Sequence, residues 1–270
     1  MDASGKVFVT GASATTSAYP NRYDYVTIAY LGTGTSLWTN RYNGPGNDED
    51  AASAIAVDTS GKVFVTGFSM GNGTSYDFAT IAYSGAGVAL WTNRYSGPTN
   101  VSDAPVAIKV DASGNVFVTG GSTPAGGNPD YVTIKYSGAG LPLWTNRYNG
   151  PGDGPDQPQG KTSLAIGPDG AVYVTGVSDG VDGSNETGFD YATIKYVTVP
   201  VLAIQPPVGG SSDVHLVLSG TPNSVWTVER ATALPGPWTN LGSVTIPTNG
   251  SAPFQDPTPP KSAAFYRARQ

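Results

Sequence analysis

Val63-Phe-Val-Thr-Gly67 is followed by Asp77-Phe-Ala-Thr-Ile-Ala-Tyr83 and then by Trp91-Thr-Asn-Arg-Tyr95, and all three strings recur along the chain. The first stands also at Val7–Gly11 and Val116–Gly120, and as VYVTG at Val172–Gly176. The second stands at Asp24–Tyr30, Asp130–Tyr136 and Asp190–Tyr196, the third at Trp38–Tyr42 and Trp144–Tyr148. Trp38 to Trp91 and Trp91 to Trp144 are both steps of 53 residues, whereas the VFVTG steps are 56, 53 and 56. Loops absorb the differences in length and the elements do not. A fixed period in this range marks one supersecondary unit used repeatedly.

The unit reads as all-β. Val, Phe, Thr, Ile, Tyr and Trp fill the runs; Gly, Pro, Asn, Asp and Ser fill the gaps. A further short apolar run precedes each later VFVTG, at Ala54–Val57, Val106–Val110 and Leu164–Ile166. It is joined to it by a turn of the form D-x-S-G at Asp58–Gly61 and Asp111–Gly114, and by Pro168-Asp169-Gly170 in the last copy. Asp can bond its own backbone and Gly accepts positive φ, so these are tight turns. Four antiparallel strands per repeat of this length is the pattern of a β-propeller blade. Blades are expected at about residues 5–42, 52–95, 104–148 and 162–196. Stacked blades bury both sheet faces, which is why Val7-Phe8-Val9 and Val26-Thr27-Ile28 do not alternate.

The string D-x-S-G-x-V-F-V-T-G, then D-Y/F-x-T-I-x-Y, then W-x-x-R-Y, resembles the SBBP (seven-bladed β-propeller) repeat of bacterial surface and secreted proteins. The resemblance covers roughly residues 1–200 and implies a propeller with a binding or scaffold role and no defined catalytic site. Seven repeats of this length would need more residues than the 270 present, and at most four occur. The first repeat lacks its opening strand and the last lacks its Trp-containing one. The expectation is an incomplete or open ring whose terminal blade faces self-associate.

Composition bounds the partners. Net charge is −6, only 13% of residues are charged and no Lys/Arg cluster occurs, so nucleic acid is excluded. There is no cysteine, which removes disulfides, thiol catalysis and Cys-type zinc sites. No run of 18 apolar residues exists to span a bilayer. Met1 is followed at once by the turn Asp2-Ala-Ser-Gly5, so the expectation is that these residues hold no signal peptide. The chain is therefore expected to be a piece of a longer extracellular or cell-surface protein, or to have an internally placed start.

Three features within the repeats invite a functional reading. Asp24, Asp77, Asp130 and Asp190 recur with Arg41, Arg94 and Arg147. A ring of ligand-binding charges is one reading, but appearance in every repeat favours structural ties. Trp38, Trp91 and Trp144, with Tyr42, Tyr95 and Tyr148, could stack on sugars, yet aromatics at such positions fill the wedge between blades. The loop bearing Asp179, Asp182, Asn185 and Glu186 offers closely spaced oxygens suited to calcium, with Asp153 and Asp156, or Asn47, Asp48, Glu49 and Asp50, as neighbouring donors. It is not an EF-hand loop, and a solvated acidic loop is the competing reading.

The repeat stops near Val197. The segment Val197–Val208 carries Pro200, Pro206 and Pro207 and reads as a semi-rigid boundary between domains at 1–199 and 200–270. Beyond it, strands are expected at Val214–Leu218, Val225–Arg230, Leu241–Ile246 and Ala264–Ala268, making a small C-terminal β-sandwich. The strings V-W-T-V-E-R, G-P-W-T-N-L-G and F-Y-R-A resemble a C-terminal module of exported proteins of the Verrucomicrobia and related bacteria, which implies an anchoring, sorting or ligand-presenting role.

Catalysis has little to stand on. The one histidine, His215, would need Ser211, Ser212 or Asp213 to converge on it from a distance they do not have in sequence. No G-x-S-x-G elbow occurs. Glycoside cleavage would rest on Glu49 and Glu186 out of three Glu in the chain. The expected function is a non-catalytic exported scaffold binding a protein or glycan through variable loops. The alternative is a secreted polysaccharide hydrolase or lyase; a pure spacer is a third.

Overall fold

Each D-x-S-G turn closes as its residues dictate. The computed structural model describes residues 1–14, 22–168, 170–180, 188–196, 201–205, 213–220, 224–247, 251–260 and 263–269. In it, Asp58 Oδ1 accepts from the amides of Ser60 and Lys62, both at 2.9 Å, and Gly61 takes a φ of 82°. Asp111 and Gly114 repeat the arrangement. A side chain that bonds its own turn, followed by a residue free to adopt positive φ, reverses the chain in the fewest residues.

Among the described residues there are 21 strands and no helix. The first sheet holds β1 (Val7–Ala14), β2 (Tyr23–Tyr30) and β3 (Ser36–Tyr42). The second holds β4 (Asp50–Val57), β5 (Val63–Met70), β6 (Tyr76–Tyr83) and β7 (Ala89–Tyr95). The third holds β8 (Asp103–Val110), β9 (Val116–Ser122), β10 (Asp130–Tyr136) and β11 (Pro142–Tyr148). Each of these is an antiparallel meander in chain order.

In the fourth sheet, β12 (Gln157–Pro158) and β13 (Leu164–Ile166) pair with successive stretches of β14 (Val172–Asp179), and β15 (Phe189–Tyr196) pairs with β14 as well. The sequence reading placed only one opening strand here, at Leu164–Ile166. Two pieces form because Pro158 has no N–H to continue the ladder and Gly160, at a φ of 74°, starts a turn closed by Ser163.

Register explains the threonines. Thr66 opposes Thr80, and Thr119 opposes Thr133. Their hydroxyls lie 3.0 Å apart, while Thr66 and Thr119 also donate to the carbonyls of Ala79 and Val132. Buried hydroxyls thereby satisfy one another, as a core requires.

The sheets of this unit pack in chain order, and successive residues of a strand serve opposite neighbours. Val63, Val65, Ala79 and Ile81 share one core with Phe8, Tyr25 and Ala29 of the first sheet. Phe64, Phe78 and Ala82 share the next with Val116, Val118, Val132 and Ile134 of the third. Hence β10 is buried at every residue, a pattern only a strand covered on both sides can have.

The remaining strands form two three-stranded sheets. One orders β16 (Val201–Gln205), β17 (Val214–Ser219) and β20 (Ser251–Asp256); the other orders β19 (Thr239–Thr245), β18 (Val225–Ala231) and β21 (Phe265–Arg269). Leu216 and Leu218 of one meet Trp226 and Val228 of the other in a single core. Two strands were not expected from sequence. β16 lies in the proline-containing segment, between Pro200 and Pro206, and β20 carries Pro253. Both lie at the edges of their sheet, where a missing N–H is tolerated.

The chain divides into two compact units, Met1–Ile166 with Val172–Lys195, and Gly167–Ala171 with Tyr196–Gln270. No helix among the described residues is long and apolar enough to cross a membrane.

Candidate functional site at the loop end of the repeats

Antiparallel pairing sends the described variable loops of the repeats to one end of the sheets. The segments at 43–49, 71–75, 96–102, 123–129 and 149–156 lie there, while the short turns at 58–62, 84–88, 111–115 and 137–141 lie at the other end. Loop chemistry is polar and cross-tied. Ser75 and Ser102 hydroxyls lie 2.9 Å apart, and Thr99 donates to the Thr123 carbonyl at 3.0 Å. Asn128 donates to the Asp153 carbonyl at 3.2 Å, and Arg22 to that of Asn47 at 2.8 Å.

Beneath these loops a polar cluster recurs. Arg94 reaches Asp77 at 2.8 Å and also donates to the hydroxyl and carbonyl of Ser69. Arg147 does the same with Asp130, at 2.8 Å, and Ser122. Arg41 and Asp24 are looser, at 3.9 Å, with Arg41 on Ser13 instead. Asp190 is exposed. The recurrent Asp and Arg thus lock the third and fourth strands of a sheet to the second.

A second carboxylate completes each cluster. Asp50 Oδ2 accepts from the Gly44 amide at 2.6 Å, Asp103 from Gly97 and Asp156 from Gly150 at the same distance. All three carboxylates are fully buried. Burial pushes Asp50 and Asp103 above the ordinary carboxylate value, against the hydrogen bonds from Gly44 and Ser69, and from Ser122 and Gly97. Sequence alone marks Asp50 and Asp156 as candidate calcium donors and does not single out Asp103. The signal was present: each follows Gly-Pro by a constant step, as Gly44-Pro45…Asp50, Gly97-Pro98…Asp103 and Gly150-Pro151…Asp156.

Of the calcium candidates, Asp182, Asn185 and Glu186 lie outside the described residues. The amide of Asp179 donates to Asp156 Oδ1 at 3.2 Å, and its carboxylate fills the space beside Gly154. Asn47 and Asp153 hold equivalent turns, with φ of 48° and 55°, each accepting from an Asn four residues earlier. Glu49 accepts from the Tyr76 hydroxyl at 2.7 Å, a bond that pushes that phenol up to about 12. Among the described residues no three of His, Asp and Glu converge to hold a metal ion.

Trp38 and Trp91 face the next sheet. Trp38 lies between Phe8 of its own sheet and Tyr83 of the next, both at 5.9 Å, and its Nε1 donates to Gly85. Trp91 stands between Phe64 and Tyr136 in the same way. Trp144 packs on Phe117 at 6.1 Å. Tyr42, Tyr95 and Tyr148 meet Tyr25, Phe78 and Tyr131 edge-on. Trp38 and Trp91 are thus junction packing rather than an open platform, while Trp144, Tyr42, Tyr95 and Tyr148 pack on rings of their own sheets.

In the second unit His215 is half-buried in β17, opposite Gln205 and Gln255. Asp213 accepts from Gln255, and Ser211 and Ser212 lie outside the described residues. Arg230 pairs with Asp256 at 2.6 Å, and Arg267 pairs with Glu229 while stacking on Trp238 at 4.1 Å. No family model matches the chain, and no curated protein matches it.

Proposed function

We propose that this chain is a non-catalytic binding scaffold with propeller-like blades of the SBBP kind and a small C-terminal β-sandwich, working outside the cell. Its loop end would hold a protein or glycan surface. The observation that supports this reading is the division of labour between elements. Ionisable groups that recur, Asp77 with Arg94 and Asp130 with Arg147, are consumed by one another within each sheet. What varies from repeat to repeat is gathered in the hydroxyl- and amide-rich loops at one end, a chemistry suited to sugar hydroxyls or a polar protein surface. Sequence variation on a rigid frame is how binding loops are ordinarily presented.

Plant and bacterial polysaccharides and a protein panel are the probes. Saturable binding, weakened by exchanging the loop at 123–129 for that at 71–75, is the expected result. Sustained release of reducing ends or unsaturated products would replace this reading with a polysaccharide hydrolase or lyase. Absence of binding across both panels would leave a spacer.

A further inference from the structure

We infer that the first and fourth sheets are the two halves of a head-to-tail joint, and that a second copy of this chain docks Tyr191 over Gly11. The inference rests on the repeat geometry and not on the binding role proposed above. Each internal junction uses the same pair of positions. The aromatic that follows the recurrent Asp reaches across to the glycine of the next VFVTG string or its paired strand. A Cβ on Gly120 would lie 2.7 Å from Phe78 Cζ, and one on Gly176 would lie 2.8 Å from the Tyr131 hydroxyl. Tyr25 donates its hydroxyl at 3.3 Å to Ala79, which is paired with Gly67. The opening strand of the same sheet lies closer still, with the Ala104 carbonyl 2.2 Å from a Cβ on Gly120 and the Gln157 carbonyl 2.1 Å from one on Gly176, so glycine is needed there for its own strand as well as for the ring.

Among the described residues, both halves of that joint recur without a counterpart. Tyr25, Phe78 and Tyr131 are at most 1% exposed, whereas Tyr191 is 86% exposed. On the first sheet, where β1 is an edge strand with no opening strand beside it, a Cβ on Gly11 would meet neither that strand nor a ring within 4 Å. Beside it Val9 is 50% exposed, where Val65, Val118 and Val174 are fully buried. Lys195 lies over Tyr173 as Lys135 lies over Phe117, so the fourth sheet presents the surface that the third presents inside the unit. The occupant that fits the Gly11 niche is therefore a Tyr on a strand of this same repeat, and the chain carries that Tyr at its other face. Such a contact is heterologous, and it propagates from copy to copy, into a ring if its rotation closes and a filament if it does not.

The test uses the full chain and two substitutions the fold tolerates. Gly11→Leu enters open space at ordinary φ, and Tyr191→Ser removes a ring that touches water. Light scattering on a size-exclusion column should show association of the wild type that rises with concentration. Each variant alone should run as a monomer of 27.7 kDa with an unchanged melting temperature, its dissociation constant raised roughly thirtyfold or more, as for loss of a central aromatic anchor. Mixing the two variants should give a discrete dimer, because each retains the face the other has lost. A wild type that stays monomeric at every concentration, association that survives both substitutions, or a mixture that forms no dimer would each overturn the inference.

Discussion

The indole of Trp91 lies directly on Gly140 of the next sheet. A Cβ on that glycine would stand 2.7 Å from the ring, and Trp91 Nε1 donates to the Gly138 carbonyl at 3.2 Å. Trp38 and Gly87 repeat the contact one junction earlier. The fourth strand of one sheet is thus fastened to a hairpin turn of the next.

Trp91→Ala should destabilise the first unit by about 3 kcal/mol, the lower end for loss of a large ring, because the indole is only partly buried. Urea denaturation followed by the remaining fluorescence measures it. An unmoved midpoint with lost glycan binding would make the ring a ligand platform instead.

The glycine side of the contact is tested by comparing two turns. Gly114 has a φ of 80° and open space around it, so Gly114→Ala adds only backbone strain, about 1 kcal/mol. Gly140 has a φ of 85° and the Trp91 ring above it, so Gly140→Ala should cost distinctly more. Equal losses in the two variants would refute the packing account.

The ion pairs should differ in weight along the chain. Arg94→Met leaves Asp77 buried without its countercharge, the Thr74 hydroxyl still donating to it at 3.2 Å, and a loss of about 3 kcal/mol is expected. Arg41→Met breaks a 3.9 Å pair whose cation is 45% exposed, and should cost about 0–1 kcal/mol. Thermal melts of the two variants side by side give the ranking.

Burial holds the Asp50 and Asp103 carboxyls above 3.8, their ordinary value. The folded chain therefore binds more protons than the unfolded one between that pH and the raised values. These two groups contribute most stability at low pH and lose it as the pH rises through their folded values. Replacing both by Asn should flatten the stability profile of the first unit over that window. Asp256 runs the other way: burial raises it, but hydrogen bonds from Arg230 and Tyr266 outweigh that and hold it below 3.8. Its contribution is present above 3.8 and lost as the pH falls through its folded value. Denaturation of wild type and variants at a series of pH values separates the two slopes.

Strand identity in the repeats was legible from sequence, because the period fixes which residues correspond. VFVTG, D-Y-x-T-I-x-Y and the Trp string each became a strand at the expected place. The split of the fourth opening strand was not legible: Pro158 and Gly160 act on a ladder whose partner, Val174–Val177, lies more than ten residues on. β16 was hidden for a related reason, since prolines on either side of Val201–Gln205 resemble those of a linker.

The site was less legible than the fold. Asp77 and Arg94 announce a structural pair by recurring together, and 2.8 Å separates them. Asp103 recurs as faithfully, but its role depends on Gly97, six residues back across a loop, and on Ser122, on the neighbouring strand.

What the sequence by itself determined is the β class, the period and the turn chemistry. These follow from local preferences of Asp, Gly and β-branched residues that need no distant partner. Only the tertiary structure decided which face of each strand meets which neighbour, since Val63 and Val65 serve one neighbouring sheet and Phe64 the other, and all three are apolar. It also decided that Tyr191 meets water while Tyr131 does not, although the two stand in nearly identical strings. Burial belongs to the partner surface and not to the residue: Tyr131 has β14 against it, and Tyr191 shows the solvent the same ring.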